Sequence, residues 1–256
     1  MLISVITVTL NPGELLERTV SSILEQSCHD WEMVIQDGGS TDGSLDQLPD
    51  DPRIKVVTGP DDGIYDAMNR ALSGTRGDYV IFLNAGDTLS DGDVITDLLL
   101  RIEELDRPEL MFCDYENVAG RRTMRLPERL SSVGLFRSVY CHQAVFFSRG
   151  LFEELGEYDT SLSIRADLDF LYRCHARRPR VRSGHLGRRG VLYDGAGYSS
   201  RSDLRALKEE ELKRIRTRHL PTWKRITFSI LHELTLVRLR NWRFRRSLQT
   251  SQTLNR

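Results

Sequence analysis

The sequence predicts an α/β fold in which a mostly parallel central sheet is flanked by helices and followed by a basic helical tail. Two observations support this prediction. Over the first hundred residues, short apolar runs alternate with segments whose apolar residues recur at helical spacing, as in parallel strands joined by helices. From Asp203 onwards the pattern is helical and rich in cations.

The first half opens with a β-branched strand at residues 2–8. The breaker Asn11-Pro12-Gly13 follows it, and apolar residues then recur at helical spacing over residues 15–24. The same two signals predict further strands at 31–35, 54–57 and 79–83, and a helix at 64–72.

The strict alternation ends near residue 105. Beyond it, apolar runs predict strands at 111–115, 144–148 and 191–193, and helical spacing predicts a helix at 167–177. The helical pattern that begins at Asp203 should break at Pro221, because proline lacks the N–H that a helix interior needs.

The composition is that of a globular protein whose charge is unevenly spread. The 256 residues suffice for one large core or two modest ones, with 39% hydrophobic and 29% charged residues. Residues 1–100 hold five Lys and Arg against 18 Asp and Glu, and residues 201–256 hold 15 against five. The acidic first part argues against nucleic acid as a partner, and the basic end indicates a contact surface for anions.

The four cysteines indicate free thiols. Cys28, Cys113, Cys141 and Cys174 are far apart and form no C-x-x-C pair, which argues against a zinc site or redox motif. A strand begins almost at the first residue, so we expect no secretory signal, and no apolar run approaches the ~20 residues that span a bilayer. We therefore expect a cytoplasmic protein.

The turn Asn84-Ala85-Gly86-Asp87 follows a buried apolar strand and ends in one carboxylate. In open α/β sheets, ligands bind just beyond the carboxyl ends of the strands. Asp87 therefore either holds a divalent metal under a diphosphate or caps the next helix.

Two further segments could contact a ligand. The glycine-rich turn from Asp37 to Ser44 follows the second strand; either Asp37 accepts hydrogen bonds from a base or ribose there, or the segment is a plain turn capped by Asp42. Asp66 and Asn69 lie one helical turn apart, and their shared face points either into a cleft or to solvent.

The remaining candidates lie in the second half. His142 and Gln143 precede an apolar strand, and the histidine is either structural or functional. Asp167 and Asp169 occupy positions i and i+2 of a helix, point apart and so form no catalytic pair. Each of these two aspartates is also suited to be an N-cap.

The order of the motifs is more specific than any one of them. The set comprises Ser4–Asn11, Asp37–Gly43, Asp62–Asn69, Phe82–Asp87, Cys141–Gln143, Asp167–Phe170 and Asp194–Ser199. It resembles family 2 glycosyltransferases with the GT-A fold, in particular the bacterial branch that builds colanic acid, O-antigens and mycobacterial phenolic glycolipids. The resemblance implies a domain at 1–200, with a nucleotide-sugar-binding half at 1–105 and an acceptor-binding half at 106–200, before the tail at 201–256.

The resemblance also implies a set of donor-binding residues at strand ends, on a helix and after the last strand. They are Thr9, Asn11, Asp37, Asp66, Asn69, Asn84 and Arg201. Asp37 would bind the base or ribose, and the segment 194–200 would close over the donor. Arg201 would then contact phosphate.

The resemblance places the metal ligand and the base on two aspartates. Asp87 stands where the family has the last carboxylate of its D-x-D signature, whose first Asp is absent here. It would hold Mg²⁺ or Mn²⁺, which neutralises a diphosphate leaving group and needs only one or two carboxylates. Asp167 would be the general base, with His142, Gln143 and Asp169 on the acceptor side. One base and direct attack imply a single displacement with inversion.

The implied activity is metal-dependent, inverting transfer of a hexose from a UDP-, GDP- or dTDP-sugar to a lipid-linked saccharide or glycolipid. The alternative is a non-catalytic sugar-nucleotide-binding or assembly subunit with the same fold. A nucleotidyltransferase would carry a basic residue in the loop after the first strand, and Asn11-Pro12-Gly13-Glu14 has none.

The tail interleaves apolar and aromatic residues with cations from residue 223 onwards. It ends in a cluster of Arg238, Arg240, Arg243, Arg245 and Arg246. Such a helix suits an anionic membrane surface, which would place the protein at the inner face of the cytoplasmic membrane beside a lipid-linked acceptor. The alternatives are a helix packed on its own domain or within a homodimer.

Overall fold

The computed structural model describes residues 1–177, 179–195, 197 and 201–231. The chain divides into two compact units, residues 1–212 and residues 213–256. The sequence predicted a boundary at residue 200. The predicted α/β class is confirmed.

The strands of the described residues form one sheet. They are β1 (Ile3–Thr9), β2 (Trp31–Asp37), β3 (Ile54–Thr58), β4 (Tyr79–Phe82), β5 (Thr88–Leu89), β6 (Leu110–Asn117), β7 (Arg122–Met124), β8 (Val145–Ser148) and β9 (Ser183–Tyr193). Their order is β3-β2-β1-β4-β8-β6-β9-β5, with β7 paired to β6. The sheet is parallel from β3 to β4, whereas β8 runs antiparallel to both β4 and β6.

Helices follow most of the strands. They are α1 (Glu14–Leu24), α2 (Ile64–Ser73), α3 (Val94–Glu104), α4 (Ser132–Phe136), α5 (Arg149–Leu155), α6 (Ala166–Ala176) and α7 (Arg205–His219). Residues 222–231 are also helical, after the predicted break at Pro221. Of the helices in the described part of the chain, none has the length and apolar character needed to cross a membrane.

The parallel half of the sheet forms the centre of the core. Every residue from Ile3 to Val8 and from Trp31 to Asp37 is buried, as expected for parallel strands covered on both faces. In the pairing of β1 with β2, Thr9 lies opposite Asp37, so the two strands end at the same level. The turns that follow β1, β2 and β4 therefore share one edge of the sheet.

An aromatic cluster fixes α6 against the antiparallel half. The rings of Phe152 and Phe170 stack with centroids 4.2 Å apart, and Phe147 and Tyr158 pack edge-on against Phe170. Aromatic pairs of this kind contribute about 0.5–1.5 kcal/mol beyond their buried area. The cluster packs α6 firmly against β8 and α5, and α6 carries Asp167.

Strand β9 is longer than the sequence predicted. It spans Ser183–Tyr193, whereas the apolar run indicated only 191–193. The preceding residues are rich in glycine and arginine and become a strand because β9 pairs in parallel with β6 on one side and antiparallel with β5 on the other. Tertiary pairing therefore overrides a weak local signal.

Candidate active site

A cleft of about 450 Å³ lies between the turn after β4 and helices α2 and α6. It brings together five of the predicted site residues, although they come from distant parts of the chain. These are Asn84, Asp87, His142, Gln143 and Asp167.

Asp87 is a buried carboxylate at the floor of this cleft, 3% exposed. Its Oδ1 accepts a hydrogen bond from the backbone N–H of Asp194 at 2.9 Å. Burial raises the pKa of Asp87 to about 6, although the Asp194 N–H, the charge of His142 and a hydrogen bond from Gln143 act in the opposite direction. A buried carboxylate with these properties gains from a cation placed beside it.

The turn that carries Asp87 is fixed by Thr19 on α1. The buried Thr19 hydroxyl donates to the carbonyl of Asp87 at 2.8 Å and accepts from the N–H of Gly86 at 2.9 Å. Gly86 has φ +100°, a backbone conformation that glycine adopts without strain. The Thr19 hydroxyl therefore joins helix α1 to the turn that carries Asp87.

The same turn offers a second oxygen. Asn84 Oδ1 is buried and has no hydrogen-bond partner among the described residues. Carboxylate and amide oxygens are the ligands that Mg²⁺ and Mn²⁺ prefer. Within the described residues, no cluster of three or more His, Cys, Asp or Glu side chains is placed to hold a metal. The fit to a divalent cation therefore rests on Asp87 and Asn84.

Asp167 lies in the first turn of α6 and is held at both carboxylate oxygens. Its Oδ1 accepts from the Tyr65 hydroxyl at 2.9 Å, and its Oδ2 lies 3.0 Å from His142 Nδ1. Burial alone would raise the pKa of Asp167, but the hydrogen bond and charge of His142 and the hydrogen bond of Tyr65 outweigh it and lower the pKa. The carboxylate is therefore ionised at neutral pH and able to accept a proton.

The N-cap position of α6 belongs to Arg165, not to Asp167 or Asp169, so the N-cap alternative for these two aspartates is wrong. The start of the helix is fixed instead by the buried Glu211. Its carboxylate accepts from the backbone N–H groups of Ser163, Ile164 and Arg165 at 2.6–3.1 Å. A carboxylate at this end also complements the helix dipole.

His142 and Gln143 stand between the two aspartates. His142 bonds to Asp167, while the side chain of Gln143 bonds to Asp87. The Cys141 thiol donates to Gln143 Oε1 at 2.9 Å, which turns the amide N–H₂ of Gln143 towards Asp87. Both residues of the adjacent pair His142-Gln143 therefore line the cleft.

A second cavity of about 570 Å³ adjoins the cleft and shares Tyr65 with it. It is lined by Thr9 at the end of β1 and by Asp66 at the start of α2, both predicted donor-binding residues. The Oγ1 of Thr9 is buried without a partner among the described residues, and Leu10 beside it is 63% exposed. The cavity thus offers an apolar surface for a flat ring together with hydrogen-bonding groups.

The sequence profile described as Glycosyl transferase family 2 matches residues 4–156, more than half of the chain. The chain belongs to this family. The resemblance inferred from the order of the motifs is confirmed.

Named relatives support the membership. This family 2 glycosyltransferase is 36% identical over 180 residues to a PGL/p-HBAD biosynthesis glycosyltransferase of Mycobacterium bovis, a match covering 67% of this chain and 68% of the relative. It is 44% identical over 91 residues to the putative teichuronic acid biosynthesis glycosyltransferase TuaG of Bacillus subtilis, a match covering 34% and 36% of the two chains.

Solved structures confirm the GT-A fold. S. aureus TarS superposes with a TM-score of 0.64 at 19% identity, covering 75% of this glycosyltransferase and 36% of TarS. The chain thus spans about a third of the length of TarS. The mannosyltransferase PcManGT of Pyrobaculum calidifontis, in complex with GDP-Man and Mn²⁺, superposes with a TM-score of 0.61 at 17% identity, covering 84% and 63%.

In this glycosyltransferase, two predicted donor residues shape the glycine-rich turn and line neither cavity. Asp37 is fully buried and accepts from the backbone N–H groups of Gly39 and Ser40 at 3.0 and 2.9 Å. Asn11 has φ +48°, and its Oδ1 accepts from the N–H of Thr41 at 2.9 Å. The turn is therefore held against the end of β1, beside the second cavity.

Asn69 also lies outside both cavities. Its amide bonds to both backbone groups of Tyr158, donating to the carbonyl and accepting from the N–H, each at 3.0 Å. Asn69 and Asp66 share a helical face but have different surroundings. Asp66 lines the second cavity, whereas Asn69 holds the loop around Tyr158 against α2.

Asp169 points away from the cleft, as the i, i+2 spacing predicted. It is 1% exposed and pairs with Arg173 at 3.1 Å, and Arg173 in turn donates to the backbone carbonyls of Leu155 and Glu157. Arg201 is exposed and pairs with Asp203 at 2.8 Å. Neither residue lines the cleft.

Among the cleft residues that were not singled out from the sequence, Tyr65, Arg165 and Lys208 carry polar groups that bear on the chemistry. Tyr65 lies inside the motif Asp62–Asn69, and Arg165 lies two residues before Asp167, so proximity along the chain was a usable signal. Lys208 lies in the tail as the sequence defined it, and no local pattern marks it. All three bring a donor or a cation to a site otherwise dominated by carboxylates.

Two predicted features extend beyond the described residues. In the closing segment 194–200, only Asp194, Gly195 and Gly197 are described. The arginine cluster between Arg238 and Arg246 lies wholly outside the described residues.

Proposed function

We propose that this glycosyltransferase moves a hexose from a nucleotide sugar to a lipid-linked saccharide or glycolipid by a single inverting displacement. One observation carries the proposal: the ionised carboxylate of Asp167, held at both oxygens, lines the same cleft as the Asp87 turn. Such a transfer needs a base for the acceptor hydroxyl and a binding site for the leaving group.

In the proposed reaction, Asp167 accepts the proton of an acceptor hydroxyl as that oxygen attacks the anomeric carbon. The bond from the anomeric carbon to the diphosphate breaks at the same time, and the diphosphate leaves with the electron pair. Tyr65 and His142 hold the carboxylate in one orientation, and each oxygen keeps a lone pair for the incoming proton. A positioned base of this kind is typically worth about 10²–10⁴ in rate.

The leaving group would be received on the other side of the cleft. Asp87 and Asn84 would hold Mg²⁺ or Mn²⁺, and the cation, when bound, supplies Lewis-acid neutralisation of the diphosphate. Arg165 and Lys208 line the same cleft and add positive charge. The Mn²⁺ and GDP-Man named for PcManGT support this role for a metal.

The nucleoside is proposed to occupy the second cavity. Thr9 and Asp66 line it, and Asp37 and Asn11 shape the turn beside it. The complex of the TarS fragment 1–349 with UDP-GlcNAc, which superposes with a TM-score of 0.63 and 17% identity, supports a nucleotide sugar as donor. That match covers 75% of this chain and 58% of the fragment.

The acceptor is proposed to be presented at the inner face of the cytoplasmic membrane. The names of the relatives, which refer to PGL/p-HBAD and teichuronic acid biosynthesis, support a glycolipid or surface polysaccharide. In the helix at 222–231, Trp223, Ile226 and Ile230 are 64%, 56% and 55% exposed and lie at helical spacing on one face. Flanking cations make this face suited to an anionic bilayer.

The experiment that tests the proposal measures donor binding with and without Mn²⁺ by calorimetry, after a thermal-shift screen of UDP-, GDP- and dTDP-sugars. We expect Asp87→Ala to lose the Mn²⁺-dependent part of donor binding. The half-exposed Asp97 lies outside both cavities, so Asp97→Ala should retain that part and serves as the matched control. Unchanged Mn²⁺ dependence in Asp87→Ala would overturn the metal role. The alternative, a non-catalytic binding subunit, predicts donor binding with no turnover of any donor.

A further inference from the structure

The arginines of residues 1–177 are unevenly paired. Most form an ion pair with a carboxylate, namely Arg18, Arg53, Arg70, Arg76, Arg101, Arg107, Arg149, Arg173 and Arg177. Arg165 donates to the backbone carbonyl of Lys208. The others are concentrated in one short stretch: Arg121, Arg122, Arg125, Arg129 and Arg137.

We call residues 118–139 the rim segment. Its arginines are all exposed, and within the described part of the chain none of them has a carboxylate partner. The segment contains a single acidic residue, Glu128. Because unpaired guanidinium groups are costly to crowd together, their concentration here indicates an anionic partner.

The rim segment is attached to the wall of the cleft. Met124 on β7 lies opposite Tyr115 on β6, and Tyr115 lines the cleft. Tyr140, which also lines the cleft, accepts from the N–H of Ser131 and donates to the carbonyl of Arg129, both at 3.0 Å. The arginines therefore flank the half of the cleft expected to receive the acceptor.

Apolar side chains are interspersed among these arginines. Val118, Val133 and Val139 are 40%, 51% and 37% exposed. Val133 and Arg137 are four residues apart at α4 and so lie on one face. A surface that mixes guanidinium groups with exposed aliphatic side chains, and exposes no aromatic ring for base stacking, matches a lipid headgroup region better than a nucleic acid.

We propose that the rim segment docks on an anionic lipid bilayer, so that the acceptor side of the cleft opens at the membrane surface. Guanidinium groups bind phosphate oxygens of the headgroups in a bidentate manner, and the valines reach the edge of the acyl region. The inference goes beyond the tail and rests on the proposed function in one respect, namely that a lipid-linked acceptor is presented at that surface.

The test is sedimentation of the full chain with vesicles of phosphatidylcholine mixed with phosphatidylglycerol, against vesicles of phosphatidylcholine alone. Each basic residue near an anionic surface contributes about 1 kcal/mol, so the triple variant Arg122→Gln, Arg125→Gln, Arg129→Gln should partition on the order of 100-fold more weakly. The difference should shrink as salt is added.

The matched control is the triple variant Arg101→Gln, Arg107→Gln, Arg149→Gln. It removes the same net charge from arginines that have carboxylate partners, and we expect its partitioning to stay close to wild type. Equal losses in the two triple variants, or no loss in the rim variant, would overturn the proposal. So would equal binding of the wild type to both kinds of vesicle.

A single substitution tests membrane docking by the rim segment without the triple variant. Val133→Asp adds a carboxylate in the first turn of α4, where negative charge suits the helix, and should weaken vesicle binding by repelling the headgroups. Donor hydrolysis is measured on all variants. Rim variants should retain it, since no arginine of the segment lines the cleft, whereas failure of the proposed function would abolish hydrolysis in every protein and leave the vesicle result intact.

Discussion

The hydroxyl of Tyr65 provides a sharp test of how Asp167 is held. It lies 2.9 Å from Asp167 Oδ1 and 2.8 Å from the carbonyl oxygen of Ile164, and one hydrogen serves both acceptors. Tyr65→Phe removes this group and keeps the ring, whose centroid lies 5.3 Å from that of Tyr158. Hydrogen bonds to charged groups contribute about 1.5–3 kcal/mol, so we expect a loss of that size in the free energy of unfolding at neutral pH.

The pH dependence follows from the sign of the shift. The folded-state pKa of Asp167 is lowered, so the stabilisation is present above the unfolded-state pKa, about 3.9, and is lost as the pH falls through the lowered folded value. The difference between wild type and Tyr65→Phe should therefore shrink in acid. In the profile of kcat/KM against pH, the acid limb of the variant should move to higher pH, because loss of the bond raises the pKa of Asp167.

The assay is urea denaturation at several pH values, with Tyr158→Phe as the matched control. The Tyr158 hydroxyl is buried without a partner among the described residues, so its removal should change stability by less than about 0.5 kcal/mol. A Tyr65→Phe protein as stable as wild type, or a difference that does not vary with pH, would refute the reasoning.

Two further predictions concern the scaffold. Asn69→Ala removes both bonds to the backbone of Tyr158 and leaves two buried groups unpaired, so thermal and urea unfolding should show a loss of about 2–4 kcal/mol; a loss below about 1 kcal/mol would contradict the clamp. In Glu32, burial would raise the pKa, but hydrogen bonds from Arg76 and Ser4 outweigh it and lower the pKa. Glu32→Gln should cost about 1–3 kcal/mol at neutral pH. The cost should begin to fall near pH 4.5 and vanish as the pH passes through the lowered folded-state pKa; a pH-independent cost would contradict this.

The first half of the fold could be predicted because its strands are visible as apolar runs in the sequence. β1, β2 and β4 are dominated by apolar and β-branched residues, since parallel strands buried on both faces need no polar side. Only the last three residues of β9 gave such a signal. A Cβ at Gly184 would lie 2.4 Å from Leu105 and one at Gly190 would lie 2.8 Å from Cys113, so close packing requires the glycines that weaken the local pattern.

The site, too, could be predicted from the sequence only in part. The order of the motifs predicted that Asp87, His142, Gln143 and Asp167 act together, and the cleft contains all four. The sequence did not separate them from Asn69, which also lies on a buried face. A buried polar side chain either lines a cleft or holds a loop, and only its tertiary partner, here the backbone of Tyr158, decides which.

The central claim is that Asp167 is the base of the transfer, and the most direct measurement is turnover of the donor to acceptor product by Asp167→Asn. The substitution keeps the shape and removes the proton acceptor, so transfer should fall by about 10²–10⁴ while donor binding persists. Asp169→Asn, two residues along α6 and paired with Arg173 outside the cleft, should retain near-wild-type turnover per folded molecule. Near-wild-type transfer by Asp167→Asn would contradict the account.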